Sequence, residues 1–297
     1  MRIAITGASG LLGRHLIPRL VAKGHEIVAS KHSRDIQTDQ PIEELPFDLN
    51  DDDSIIHFVE KSDADLLIHS AAFSDVDGCD REPQKAERMN AVASGAAMDE
   101  ARKTNMRLVY ISTDYVFDGA DGPYDETSQP NPINEYGRTK LKGEVAALRG
   151  GAQALVVRAA GFLGPGLPGK PTFAERTAQK ILHEAPVKVA IDQKSNITPI
   201  EFLSEGIVEL IEDGAIGIRH VAPNEIISRY EFASMLARLL GAPHDAVQGV
   251  PYAELNREAQ RPLKGGLITQ FPLDTQCPPL EKALEAFKDR YLSADKT

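Results

Sequence analysis

The feature that most constrains the fold is a glycine-rich turn near the start of the chain. Residues 6–13 read Thr-Gly-Ala-Ser-Gly-Leu-Leu-Gly, between an apolar run at residues 2–6 and a helical pattern at residues 11–23. Small residues permit a tight turn, and the free N–H groups of the first helical turn attract an anion. In this position the turn predicts dinucleotide binding, with a purely structural turn as the alternative.

Apolar, β-branched runs alternate with helical patterns through the first half of the chain. The alternation predicts an α/β fold, a Rossmann-type doubly wound parallel sheet with helices on both faces. The predicted strands are 2–6, 26–30, 65–71, 107–113 and 154–159, and the predicted helices are 11–23, 51–61, 81–104 and 135–148.

The second half of the chain has a different character. Residues 161–171 are dense in glycine and proline, which excludes regular structure and predicts either a mobile loop beside a site or a plain connector. Farther on, Ser228 is a candidate N-cap for a helix over residues 228–240. We expect an NAD(P)-binding Rossmann domain and a smaller C-terminal substrate-binding domain. The first is predicted to comprise residues 1–160 with a return segment at 196–216, and the second residues 161–195 and 217–297.

Charge and cysteine content limit the partners of this chain of 297 residues. The formal net charge is −11, which disfavours phosphate backbones, so we expect no nucleic-acid partner. Cys79 and Cys277 are too few for a disulfide framework. Because no apolar run could span a bilayer and no leader pattern precedes the first strand, we expect a cytoplasmic protein without a membrane partner. We predict no metal site and leave a homodimer open.

The end of the second strand indicates which dinucleotide is bound. NAD-binding proteins usually place a carboxylate there for the ribose hydroxyls. In this chain residues 30–34 contain no carboxylate, which first appears at Asp35, and they instead offer Ser30, Lys31, His32 and Arg34. Hydroxyls and positive charge favour a 2′-phosphate, so we predict NADP(H) over NAD(H), with a solvated basic turn as the alternative.

Other candidate cofactor contacts surround the same edge of the predicted sheet. Asp48 and Leu49 follow the basic turn and are candidates for the adenine. Asn90 is a further candidate, with an ordinary helical asparagine as the alternative. The turn and the end of the next strand contribute Gly7, Ser9, Gly10, Leu11, Leu12, Gly13, Ser70, Ala71 and Ala72.

Tyr136 and Lys140 have the Tyr-x-x-x-Lys spacing, which puts both side chains on one helix face. A lysine ammonium there is expected to lower the pKa of the tyrosine towards neutrality, so that the phenol donates a proton to a carbonyl as hydride arrives. Thr113 ends a predicted strand where doubly wound folds bind ligands, and we expect it to orient the substrate oxygen. Together these residues predict an NAD(P)-dependent oxidoreductase acting on CH–OH or C=O groups.

Several segments together resemble the extended short-chain dehydrogenase/reductases and, more narrowly, the dTDP-4-dehydrorhamnose reductases and their relatives. The resemblance spans most of residues 1–240 and is strongest through Glu144. It is carried by the glycine turn and by residues 71–77, 112–119, 123–126 and 136–144.

This resemblance implies a site and a reaction. Thr113, Tyr136 and Lys140 would form the catalytic triad, with Tyr136 and Lys140 also contacting the cofactor. Family members reduce the 4-keto group of a nucleotide-linked deoxysugar in dTDP-rhamnose biosynthesis, using NADPH or NADH. The residues that would approach the substrate are Ser74, Val76, Asp77, Thr113 and Asp114.

One segment departs from the family pattern. Where the family has Arg-Thr-Ser-Trp, with a tryptophan that touches the sugar, this chain has Arg158, Ala159, Ala160 and Gly161, and it contains no tryptophan. We therefore expect an NADPH-dependent ketoreductase of a nucleotide-linked deoxysugar or a related carbonyl compound. The alternatives are a sugar-nucleotide epimerase or dehydratase of the same superfamily and a non-catalytic NADP-binding regulatory subunit.

Overall fold

The structure is a computed structural model that describes residues 1–149, 153–183 and 186–294. The strands are β1 (Arg2–Thr6), β2 (Glu26–Lys31), β3 (Glu43–Pro46), β4 (Leu66–His69), β5 (Arg107–Thr113), β6 (Ala154–Ala159), β7 (Phe162–Leu163), β8 (Val187–Ala190), β9 (Lys194–Ser195), β10 (Thr198–Pro199), β11 (Gly217–His220), β12 (Ile227–Ser228) and β13 (Val247–Val250). The helices are α1 (Leu11–Ala22), α2 (Asp52–Ser62), α3 (Val76–Arg81), α4 (Pro83–Ala86), α5 (Ala93–Lys103), α6 (Glu135–Leu148), α7 (Phe173–His183), α8 (Ile200–Glu212), α9 (Arg229–Leu239) and α10 (Leu280–Ala294).

Seven strands form one sheet in the order β3-β2-β1-β4-β5-β6-β11, and every pairing in it is parallel. The predicted doubly wound parallel sheet is confirmed. In the register of the sheet Thr6 is level with His69, and Thr113 with Ala159. The carboxyl ends of the central strands therefore meet along one edge, which is where such sheets bind ligands.

Helices cover both faces of this sheet. On one face α1 packs against α8, and Leu16 and Ile200 are fully buried between them and the strands. On the other face α2, α5 and α6 enclose a second core that contains Phe58 and Met98. Burial on both faces explains why the central strands are nearly continuous apolar runs in the sequence.

Two parts of the first half differ from the predictions. The helix predicted over residues 81–104 is divided into α3, α4, a π-helical segment at Glu87–Val92 and α5. Pro83 begins α4, because proline cannot continue the hydrogen bonding of a preceding helix. Strand β3 was not predicted, since the two glutamates in Glu43–Pro46 give no apolar signal in this sheet-edge strand.

The C-terminal half builds a separate hydrophobic cluster. Phe232 of α9 and Leu284 of α10 are fully buried in it, together with side chains from α7 and the parallel pair β8–β13. Ser228 caps α9 as predicted, in a capping box with Glu231. Strand β11 joins the central sheet just beyond the predicted return segment, so the sheet extends past residue 216. The division into two domains stays a prediction.

Within the described ranges, helices long and apolar enough to cross a membrane are absent.

Candidate active site

Strand β5 delivers Thr113 to the ligand-binding edge of the sheet. The Thr113 hydroxyl accepts a hydrogen bond from the Tyr115 N–H and donates one to Asp114 Oδ1, each at 3.2 Å. The residue is buried, with 7 % of its surface exposed, so these two bonds hold its hydroxyl in place at the strand end.

Helix α6 places Tyr136 opposite this strand end. Asn134 caps the helix by accepting from Gly137 N at 2.8 Å, and its amide donates to Gln260 O at 2.8 Å. Gly137 is required here, because a Cβ at this position would lie 2.0 Å from Tyr115 O. This close approach of α6 to the chain after β5 brings Tyr136 against Tyr115, with ring centroids 6.0 Å apart.

The phenol of Tyr136 is held in its protonated form. Burial is the main reason that the pKa of Tyr136 is raised, and the nearby Asp114 carboxyl acts in the same direction. A hydrogen bond with Thr113 opposes this rise in pKa. The expectation that Lys140 lowers the pKa of Tyr136 towards neutrality is therefore wrong for this structure, because burial of the phenol and the neighbouring Asp114 carboxyl both raise this pKa.

Lys140 lies one turn beyond Tyr136 and is 3 % exposed. Its Nζ donates to Ile111 O at 2.7 Å and lies 4.0 Å from the ring centroid of Tyr110. Burial lowers the pKa of Lys140 to about 7, and the negative charge of Glu144 limits the fall. The amine is thus directed at the backbone of β5 and is poised to gain or lose a proton near neutral pH.

A buried ion pair supports α6 from below. Arg158 of β6 and Glu144 of α6 are 1 % and 2 % exposed, and they form hydrogen bonds of 2.9 Å and 2.6 Å. Ser112 donates to the same carboxylate at 2.5 Å. Arg158 also lies over the Phe117 ring, with Cζ 5.0 Å from the centroid. The pair joins β5, β6 and α6, and so fixes the helix that carries Tyr136 and Lys140.

His69 completes the floor of this region at the end of β4. Its ring hydrogen-bonds with Thr6 Oγ1 and Ser94 Oγ, both at 3.0 Å, and stacks on Tyr110. Burial lowers the pKa of His69 to about 3, with the charge of Lys140 acting in the same direction. His69 is therefore a neutral hydrogen-bonding spacer between strands.

The predicted dinucleotide turn has the geometry of an anion site. Gly7 has φ of +72°, and a Cβ there would lie 2.8 Å from Ala71 N. A Cβ on Gly10 would lie 2.9 Å from Gly7 O, and one on Gly13 would lie 2.4 Å from Ala8 O. All three glycines are thus needed for the turn to lie this close to its neighbours. The N-cap of α1 is Gly10, which has no side chain to cap the helix, so the first N–H groups of α1 are left to a ligand.

The residues predicted to contact a 2′-phosphate have different surroundings. The Ser30 hydroxyl is buried and accepts from Gly7 N at 3.0 Å, so it stabilises the glycine turn. Lys31 forms ion pairs with Asp35 and Glu44 at 3.2 Å and 2.9 Å. The structure leaves their phosphate contact as a prediction.

The other two members of this basic turn are exposed. His32 Nε2 lies 3.6 Å from the Asp48 carboxylate, whose pKa is lowered chiefly by the backbone N–H of Asn50. Arg34 has neither a hydrogen bond nor an ion pair to any described residue. Of the four predicted phosphate contacts, its guanidinium is the most available to a ligand.

The remaining cofactor candidates line the same edge. Ser70 donates to Thr6 O at 2.7 Å, while Ala71 and Ala72 are half-buried. Asn90 accepts from Phe73 N at 2.7 Å and donates to Phe73 O at 3.0 Å. These bonds fix the backbone that follows β4. Asn90 therefore positions this edge of the sheet indirectly, by holding the backbone of Phe73. Half-buried Ser9 and Leu11 and buried Leu12 lie in the glycine turn, and buried Leu49 follows β3.

Of the residues predicted to contact the substrate, some are accessible, while others already bond to another side chain of the protein. Ser74 is exposed and Val76 is half-buried. Asp77 instead pairs with Arg261 at 2.7 Å, which chiefly lowers its pKa. Asp114 is buried and accepts from Ser195 at 2.9 Å, and burial raises its pKa.

Arginines of the C-terminal half were missed by sequence reasoning. Arg261 reaches Asp77, and Arg229 lies against Gly161 and the Phe173 ring. Both approach the site from positions far along the chain, so local spacing carried no signal for them. Glu144 did carry a signal, because it lies one helical turn beyond Lys140 on the same face.

The glycine-rich segment that follows β6 is held by side chains. Arg14 of α1 donates to Pro165 O at 3.2 Å and to Gly166 O at 3.1 Å. The Glu175 carboxylate accepts from Gly166 N and Thr172 N. The predicted mobility of this loop stays a prediction, and these bonds are what any movement would break. The prediction that residues 161–171 exclude regular structure is wrong at Phe162–Leu163, which form β7 and pair with β10 because backbone hydrogen bonding is available there.

Residues 1–292 match the RmlD substrate binding domain family. The chain belongs to this family. Helix α6 and the end of β5 both lie within the matched residues.

Similar proteins agree with this RmlD-family membership. The chain is 31% identical to a probable low-salt glycan biosynthesis reductase of Haloferax volcanii, over 96% of both chains. It is 32% identical to a dTDP-4-dehydrorhamnose reductase of Mycolicibacterium smegmatis, over 97% of this chain and 84% of that protein. It is also 30% identical to methionine adenosyltransferase 2 subunit beta of Bos taurus, over 82% and 73%.

Solved structures of the same kind superpose along nearly the whole RmlD-family chain. A dTDP-4-dehydrorhamnose reductase of Clostridium acetobutylicum has a TM-score of 0.85 at 28% identity, covering 98% of this chain and 100% of its own. One from Bacillus anthracis, in complex with NADP, has a TM-score of 0.83 at 26% identity, covering 97% and 99%.

Proposed function

We propose that this chain is an NAD(P)-dependent ketoreductase that reduces the keto group of a nucleotide-linked sugar, with NADP(H) as the preferred cofactor. The observation that carries the proposal is the close approach of the start of α6, with Tyr136, to the end of β5, with Thr113, while the buried Lys140 lies one helical turn farther along α6. The dTDP-4-dehydrorhamnose reductases among its relatives indicate the substrate class, a 4-keto deoxysugar.

The turn at the start of α1 fits the pyrophosphate of a dinucleotide. Because three of its residues are glycines, no side chain at these positions covers the backbone. The first turn of α1 has no side-chain cap, so its N–H groups are available to an anion. A relative of the same fold is known in complex with NADP. When bound, NAD(P)H supplies the hydride that reduces the carbonyl carbon.

The residues of the chain would divide the remaining work. Tyr136 holds a proton at its phenol oxygen at neutral pH and would pass it to the carbonyl oxygen. Thr113 would hydrogen-bond the same oxygen and orient it. Lys140 would hold the ribose hydroxyls through Nζ, as the resemblance implies, while Glu144 and Arg158 keep its helix in place.

The preference for NADP(H) is supported by Arg34. Its guanidinium lies at the end of β2 without a partner among the described residues, where the 2′-position of the ribose is held in doubly wound folds. A guanidinium binds a phosphate with two parallel hydrogen bonds, which a ribose hydroxyl cannot match.

The test is an assay of reduced cofactor with a keto-sugar. Purified protein is mixed with NADPH and a dTDP-linked 4-keto-6-deoxysugar, and the loss of NADPH absorbance is followed. Net oxidation that requires the sugar supports the proposal. Tightly retained cofactor with no net oxidation would instead indicate an epimerase or dehydratase.

A non-catalytic binding subunit is the second candidate, favoured by the similarity to methionine adenosyltransferase 2 subunit beta. Such a protein would bind NADPH and fail to oxidise it with any keto-sugar. The complete set of Thr113, Tyr136 and Lys140 supports the enzyme. Cytoplasmic location and a homodimer stay predictions.

A further inference from the structure

Arg229 occupies an unusual position beside the candidate active site. It is the first residue of α9, with its backbone N–H on Gln193 O at 3.0 Å. Its Cζ lies 4.5 Å from the Phe173 ring centroid. A Cβ on Gly161 would lie 3.6 Å from Nη2 and 3.7 Å from Nη1. The capping box at Ser228 fixes the start of the helix, so the guanidinium is held against the end of β6.

The guanidinium of Arg229 has no hydrogen-bond acceptor and no ion-pair partner among the residues that the structure describes. Other arginines around it are occupied: Arg158 pairs with Glu144, and Arg261 with Asp77. Arg229 is half-buried and carries several N–H donors in a rigid plane. A guanidinium that is held in place and has no acceptor among these residues keeps its donors available, which points to an acceptor supplied by a ligand.

The charge of Arg229 acts on groups next to the reacting position. Burial raises the pKa of Asp114 and of Tyr115, and the positive charge of Arg229 opposes both changes. Tyr115 lies edge-on to Tyr136. The guanidinium therefore lies close enough to Asp114 and Tyr115 for its charge to act on both.

Asp114 does not serve as the partner of Arg229. One carboxylate oxygen accepts from Ser195 Oγ at 2.9 Å, and the other from Thr113 Oγ1 at 3.2 Å. The geometry points to Arg229 as a substrate-binding residue that takes an oxyanion of the nucleotide sugar, either its diphosphate or a carboxylate on the sugar ring. This inference rests on the proposed function and adds to it a determinant of substrate choice.

The chemistry of the Arg229 side chain indicates that its ligand is an oxyanion. A guanidinium donates two parallel hydrogen bonds to a carboxylate or a phosphate, and the bonds are strengthened by charge. Gly161 places no side chain against these donors, and a Cβ there would be in van der Waals contact with them, 3.6 Å from Nη2 and 3.7 Å from Nη1. The donors therefore lie next to bare backbone at the end of β6.

Binding measurements with matched ligands test the inference. The dissociation constant of each ligand is measured by calorimetry of the whole protein with NADPH present. Thymidine is compared with dTDP, and UDP-glucose is compared with UDP-glucuronate. The variants are Arg229→Gln and Arg229→Lys. The control is Arg238→Gln, which removes an exposed arginine of the same helix that pairs with Glu281.

We expect Arg229→Gln to lower the affinity for one ligand of a pair by roughly 10- to 100-fold, and Arg229→Lys to lower that affinity less. Loss of dTDP affinity with thymidine unchanged identifies the diphosphate. Loss of only the extra affinity for UDP-glucuronate over UDP-glucose identifies a carboxylate. Arg238→Gln should bind all four like the wild type.

Two results overturn the inference in distinguishable ways. If the wild type binds dTDP or UDP-glucose and Arg229→Gln binds every ligand equally well, Arg229 only packs on Phe173 and the proposed function stands. If the wild type binds none of the nucleotides, the proposed function fails and the inference fails with it. Should Arg229→Gln not fold, Arg229→Lys decides, because unchanged affinity for all ligands contradicts bidentate binding.

Discussion

The two ends of the proposed cofactor-binding edge, a proposed catalytic end at Lys140 and a β2 end at Lys31, are built in different ways. At the catalytic end 3 % of Lys140 is exposed, and beneath it Glu144 and Arg158 are almost completely enclosed. At the other end 41 % of the Lys31 side chain is exposed, and Arg34 also lies at the surface. The charged side chains of the catalytic end are therefore buried, whereas those of the β2 end are exposed to solvent.

This difference separates the two tasks that a reductase must perform. Desolvation displaces the pKa values of Tyr136 and Lys140, so the chemical groups are set by burial. Exposed ion pairs are worth little and are easily changed, so cofactor choice is left adjustable. Substitutions should therefore have large effects on rate and stability at the catalytic end and small effects on specificity at the β2 end.

The largest effect is expected from Tyr136→Phe, which removes the proton donor and keeps the ring. We expect kcat to fall by roughly 10²- to 10⁴-fold, with the affinity for NADPH little changed. The control is Tyr230→Phe, at an exposed position of α9. Full turnover by Tyr136→Phe would show that another group supplies the proton.

The next prediction concerns the buried ion pair next to the proposed catalytic residues. Glu144→Ala leaves the Arg158 guanidinium charged and enclosed, which should lower the free energy of unfolding by about 3–5 kcal/mol. The matched control is Glu135→Ala on the same helix, whose exposed partner is Arg138, and it should cost at most about 1 kcal/mol. Urea denaturation measures the free energy of unfolding of both variants. Equal losses would contradict the proposed difference between buried and solvent-exposed ion pairs.

Much of the catalytic end could be predicted from local sequence. The bounds of β5 and α6 were predicted correctly, because an apolar run and a helical repeat are local signals. Tyr136 and Lys140 share a helix face by spacing alone. The raised pKa of Tyr136 could not be anticipated, since it depends on how deeply the packed chain encloses the phenol.

The contacts of the C-terminal half could not be predicted in this way. Arg261 reaches Asp77 across 184 positions of sequence, and only the folded chain brings them together. The π-helical segment at Glu87–Val92 was hidden for another reason: Asn90 is an ordinary helical residue by composition, and its bonds to Phe73 appear only in three dimensions.

A pH series on Lys140 tests whether burial sets its charge. Its pKa is lowered from 10.5 to about 7 in the fold, so the folded state penalises the charged amine. The penalty is fully present below about pH 7 and is relieved as the pH rises towards the unfolded pKa. Relative to Lys140→Met, the wild type should gain up to about 1.4 kcal/mol of unfolding free energy per pH unit in that window. A constant difference between the two proteins would mean that the amine is solvated.

The smallest effect is expected at the exposed end, from Arg34→Ala. Loss of one surface guanidinium should reduce the preference for NADPH over NADH by about 10-fold or less, measured as the ratio of kcat/KM values. Lys31→Ala is the matched comparison, because Lys31 is already paired with Asp35 and Glu44 and has less to offer a phosphate. We expect the Lys31 variant to change the ratio less than the Arg34 variant. Raising the salt concentration should shrink the Arg34 effect further, since both charges are in water. If the wild type prefers NADH, or if Arg34→Ala leaves the ratio unchanged, the β2 end does not select the cofactor, and the choice must lie in the buried part of the edge.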